Sequence, residues 1–110
     1  MPTSTGMTEP LVVSIPHRLG RDEAMRRIKS GFGNAHAHFA HLVTISEERW
    51  EDNRLTFHAR ALGQSASGVI DVREDSVLVS VQLTWLLARF ANAATKLIRQ
   101  QGTLMLEKPK

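Results

Sequence analysis

The sequence of 110 residues contains no cysteine, which excludes disulfides, thiolate nucleophiles and cysteine-ligated zinc together and accords with a reducing compartment. The fold must then stand on packing alone. No apolar run approaches the roughly 20 residues that span a bilayer. Met1 to Pro10 has none of the apolar core of a secretory signal, so residues 1–10 read as a frayed tail and a cytoplasmic location is expected. Nucleotide-binding glycine patterns are missing too: Ser30-Gly31-Phe32-Gly33-Asn34 neither follows a strand nor opens a helix. Ser65, Ser67 and Ser80 lack the G-x-S-x-G setting of a nucleophile. The expectation is a protein that is not an enzyme and takes no cofactor.

What is present suits one small domain over residues 11–106, with 107–110 as a C-terminal tail. The composition is 42% hydrophobic and 23% charged, and the formal charge of +3 with a pI near 10.0 is a mild basic bias. Met25, Ile28, Phe32, Ala35, Phe39 and Leu42 step by three and four, which predicts an amphipathic helix over Arg21 to Leu42. Gly20 is its candidate N-cap, and Asp22 and Glu23 suit its positive end. Gly31 and Gly33 each cost up to about 1 kcal/mol there and predict a kink near Gly31.

Around that helix the pattern is strand. Leu11 to Ile15 is a short β-branched run that Pro16 ends, at a sheet edge. Val43 and Ile45 share a face that Trp50 does not, so either a bulge lies near Glu47 or the strand stops before Trp50. Leu55, Phe57, Ala59 and Ala61 alternate with Arg54, Thr56, His58 and Arg60. Gly68, Ile70 and Val72 line the same dry face, as do Val77, Val79, Val81 and Leu83. Four consecutive strands with short turns make an antiparallel meander. From Trp85 the period returns to helical, with Leu86, Leu87, Phe90, Ala94, Leu97 and Ile98 on one side. Gly102 either ends this helix or lies inside one that continues to Met105. The expected fold is two-layer α+β in the order β-α-β-β-β-β-α, both helices on one face of an antiparallel sheet, comparable to a small helix-grip arrangement.

A helix from Leu86 to Met105 would be about 30 Å long and overhang a sheet about 20 to 24 Å wide. Leu104, Met105 and Leu106 then either pack back on the domain or form an apolar patch fringed by Lys96, Arg99, Lys108 and Lys110. Elsewhere the residues argue for little chemistry. His36 and His38 lie on different sides of a helix, and His38 with His41 is too sparse for a metal. His58 and Asp71 read as a cross-strand contact. Arg21, Arg26, Arg27 and Lys29 form a basic helix face without the stacking aromatics of an RNA-binding sheet, so no nucleic acid is expected. Trp85 reads as a seal at the strand-to-helix junction.

The run His17-Arg18-Leu19-Gly20 with Glu23-Ala24, the tract Gly68-Val69-Ile70-Asp71-Val72 with Val77-Leu78-Val79, and Trp85-Leu86-Leu87 together resemble the polyhydroxyalkanoic acid system family. These are small bacterial proteins linked to polyhydroxyalkanoate storage granules. The resemblance runs from about Val12 to Ile98 and implies a role at or around the granule, without an active site. A non-enzymatic accessory protein contacting the granule or a granule protein follows, with Trp85, Leu86, Lys96, Arg99, Leu104, Met105 and Leu106 as candidate contacts and homodimerisation as an open alternative. The competing expectation is a carrier for an apolar or acyl ligand beneath the last helix, where Ala59, Ala61 and Gly68 leave room.

Overall fold

The computed structural model describes residues 10–61 and 63–107. Residues 1–9 of the tail expected over 1–10, Lys108 and Lys110 of the expected basic fringe, and the side chains of Trp85 and Leu86 lie outside the described residues. The elements are β1 (Leu11–Pro16), α1 (Arg21–His38), β2 (Val43–Glu51), β3 (Arg54–Ala61), β4 (Gln64–Val72), β5 (Ser76–Leu83), α2 (Trp85–Ala88) and α3 (Ala91–Leu106). The strands form one antiparallel sheet in the order β1-β5-β4-β3-β2, so the meander β2 to β5 is closed by β1 on its far edge.

Period-two alternation decides which face is dry. Val13 and Ile15 of β1, Leu55 of β3, Ile70 and Val72 of β4, and Val77 and Val79 of β5 form one buried cluster with Ala24 and Ile28 of α1 and Leu106 of α3. Both helices therefore lie on the same side, the expected α+β arrangement. A bulge between Ile45 and Glu47 shifts the register of β2 against β3, and this extra residue turns Trp50 inward against the cluster. Lys29 Nζ stands 5.0 Å from the Trp50 ring centroid, a cation over an aromatic face.

Element ends differ from the sequence pattern. α1 stops at His38 rather than Leu42, because the chain must reverse into β2: the Leu42 and Val43 amides both donate to the Phe39 carbonyl, each at 2.9 Å. The helix runs through Gly31 without interruption. The C-terminal helical region is two pieces, since the Phe90 amide bonds only three residues back to the Leu87 carbonyl. At 16 residues α3 spans about 24 Å, shorter than the expected length of about 30 Å, and Leu106 at its end packs back into the core while Leu104 stays exposed.

Gly102 lies inside α3 rather than ending it. It is buried, and a Cβ there would overlap Ile15 Cδ1. The missing side chain is what lets α3 come down onto β1. Gly31 does the same for the helix pair, since a Cβ on it would overlap Met105 Cγ.

Two polar ties close the layers. Arg27 donates to the Leu106 carbonyl at 2.9 Å and to Glu23 Oε2 at 2.7 Å, so a cation on α1 satisfies one of the carbonyls left open at the end of α3. Ahead of α1, the Leu19 amide donates to His17 Nδ1 at 3.1 Å, which leaves the proton on Nε2 to be donated to the Arg73 carbonyl at 3.1 Å. The turn before α1 is thereby pinned to the turn before β5.

Candidate binding cleft

α1 and α3 meet at Gly31 and Met105, and between the helices and the sheet lies an apolar cavity of about 370 Å³. Its floor is Ala59 and Ala61 of β3, Ala66 of β4, and Val81 and Leu83 of β5; Phe32, Ile98 and Leu87 are among its walls. The floor is deep because three alanines stand where larger residues would fill the space. Gly68, expected to leave space as well, does not: the Phe57 ring lies over it so closely that a Cβ would overlap the ring. Phe57 also meets Phe32 with centroids 5.4 Å apart and planes inclined by 54°, forming one wall.

A second apolar hollow of about 310 Å³ adjoins the first and shares Phe32, Val43, Ile98 and Gln101 with it. Phe39, Leu42 and Leu97 line its outer part. Phe90, Leu97 and Leu42 are 52%, 43% and 57% exposed, so the cleft opens through a rim of large apolar side chains. Among the described residues, Gln101 is the one polar side chain lining the inner cavity, and His36 joins it at the outer hollow.

The structure sorts the expected contact residues. Leu106 is in the core at 5% exposure, and Met105 packs against Gly31 while lining the cavity. Leu104 is 60% exposed. Lys96 and Arg99 lie with it on a shallow groove along the outside of α3, where Arg99 reaches the Ser14 carbonyl at 3.4 Å. The rim residues Leu42, Phe90 and Leu97 were not singled out as contacts, although the apolar stripes already contained all three.

The polar groups weighed as chemistry sit elsewhere. His58 faces Ser67 across β4, not Asp71, because the short β3–β4 turn sets the register. Its Nδ1 is 3.5 Å from Glu47 Oε1 on the outer face, while Asp71 takes Asn53 Nδ2 at 3.1 Å and lies 3.7 Å from Arg54. The basic face of α1 is partnered within the chain: Arg21 with Glu74, Arg26 and Arg27 with Glu23, Lys29 over Trp50. Hydrogen bonds from Arg26, then from Arg27, hold the Glu23 carboxyl down at about 2. Among the described residues no three His, Asp or Glu side chains are grouped to hold a metal, and His38 stacks edge-on against Phe39 at 4.8 Å. No helix among the described residues is long and apolar enough to cross a membrane.

The fold and cleft define a small two-layer α+β domain that presents an uncharged, half-open apolar cavity. The family model described as "Putative polyhydroxyalkanoic acid system protein" matches residues 11–104, which is nearly the whole described domain, and the chain belongs to this family. Neither a curated protein nor a solved structure matches it.

Proposed function

We propose that this chain is a non-enzymatic accessory protein of polyhydroxyalkanoate storage, located in the cytoplasm of a bacterium and binding the polyester at the granule surface. The observation that carries the reading is the apolar cleft with its exposed rim of Leu42, Phe90 and Leu97. A polyester surface offers little charge, so the available driving force is burial of apolar area, about 25 cal/mol per Å². Exposed apolar side chains gathered around one opening suit such a partner. The family membership supplies the polyester context. The non-enzymatic part is supported by where two of the histidines lie: His17 is engaged between two turns and His58 is on the opposite face of the sheet.

The test is co-sedimentation of the purified protein with washed granules. Wild type is expected in the granule pellet, and Leu42→Asn with Leu97→Asn in the supernatant. Wild type remaining in the supernatant overturns the reading.

The cavity volume favours a second reading, a carrier that holds one apolar or acyl ligand, since about 370 Å³ falls in the range of small-molecule sites, about 300 to 1,000 Å³. A carrier binds its ligand one to one without granules; a surface-binding protein need not.

A further inference from the structure

The inner cavity, the outer hollow and a polar groove on the solvent side of the α1–α3 crossing have one lining residue in common, Gln101. It is half-buried, and its side-chain amide has no hydrogen-bond partner among the described residues. Around it the two apolar hollows contain no Lys, Arg, Asp or Glu among the described residues. A carboxylate or phosphate drawn into this place would lose its water without meeting a counter-charge, which is strongly unfavourable. A neutral group that accepts a hydrogen bond meets no such penalty, and an amide N–H is the donor it needs.

We propose that the cleft is a specific site for neutral aliphatic esters, the hydrocarbon chain lying over Ala59, Ala61 and Ala66 and the ester carbonyl accepting a hydrogen bond from the Gln101 amide. The inference rests on the cleft being the binding site, which both readings above share, and adds the chemistry it selects. The apolar cavity sets chain length, and Gln101 discriminates an ester from the free acid. Arg26 and Arg27 border the outer groove, but both are engaged by Glu23, so the cation pair beside the crossing is already neutralised in part.

The experiment titrates the full chain with methyl octanoate and, separately, with sodium octanoate at neutral pH below its micelle range, following methyl resonances by NMR and heat by calorimetry. Methyl octanoate is expected to shift Ala59, Ala61, Ala66 and Ile98 and to bind at least tenfold more tightly than octanoate. Gln101→Leu is expected to weaken the ester about tenfold, the effect of one desolvated hydrogen bond. Ala66→Leu, which fills the floor, should abolish binding while a thermal melt shows it folded. Octanoate binding as tightly as the ester, shifts confined to other residues, or unchanged binding in folded Ala66→Leu would each overturn the proposal. Granule co-sedimentation is run in parallel. Protein that pellets with granules yet ignores the ester sinks this inference alone, whereas protein that binds the ester but not granules keeps it and sinks the granule reading.

Discussion

Gly31 and Gly33 sit two residues apart on α1, yet the same change to alanine is expected to act in opposite directions. Nothing stands within 4 Å of a Cβ at Gly33, so Gly33→Ala gains helix propensity of up to about 1 kcal/mol. At Gly31 the new methyl meets Met105 at its Cγ, its sulfur and, at 3.2 Å, its Cβ. Rotating the tip of Met105 does not clear the root of the side chain, so the helices must part. That strain costs about 1 to 3 kcal/mol and outweighs the propensity gain, so thermal unfolding should show Gly33→Ala stabilised and Gly31→Ala destabilised. The sequence marks both glycines as helix-weakening but cannot separate them, because the approach of α3 is a tertiary fact. Ala59 and Gly68 teach the same lesson: both are small and face inward, but only the residue that Phe57 leaves uncovered contributes to a cavity.

At the level of elements, the Glu23–Arg27 pair that ties α1 to the end of α3 is expected to weaken in acid. Arg26 and Arg27 hold the Glu23 carboxyl at about 2, against 4.5 for an unhindered glutamate. The folded chain thus resists protonating it more than the unfolded chain does. Its contribution is complete above pH 4.5 and is lost as pH falls toward about 2. Urea midpoints measured over that range should fall less steeply for Glu23→Gln than for wild type. Arg27→Met should cost about 1 to 2 kcal/mol at neutral pH through the Leu106 carbonyl it leaves without its donor. Strand faces and the placing of both helices on one side were legible because alternation and helical stripes report burial directly, whereas the β2 bulge was one of two readings that the parity of Trp50 left open. Helix ends were not. The stop at His38 and the break before Ala91 are set by where the chain must turn to reach β2 and to leave β5. The His58 partner was misread because register depends on turn length, and a shift of one residue changes every pairing.

For the molecule as a whole, the family could be read in the residues, and the cleft only in part, through Ala59 and Ala61. Its depth depends on how far the two helices diverge from their contact at Gly31, which no local pattern records. The topology carries a further expectation. β2, β3, β4 and β5 pair with sequence neighbours, whereas Val13 of β1 pairs with Val79 across most of the chain. Distant pairing pays loop-closure entropy before any contact rewards it. Val13→Ala should therefore lose about 2 kcal/mol, expressed as faster unfolding with the refolding rate nearly unchanged, while Val72→Ala in the meander slows refolding; stopped-flow chevrons measure both. During synthesis on the ribosome, β1 emerges before the strand that will accept it exists. Val13 and Ile15, almost fully buried in the finished protein, must wait in water until β5 has left the exit tunnel, so the nascent chain is exposed to chaperone capture or mispairing at this edge strand.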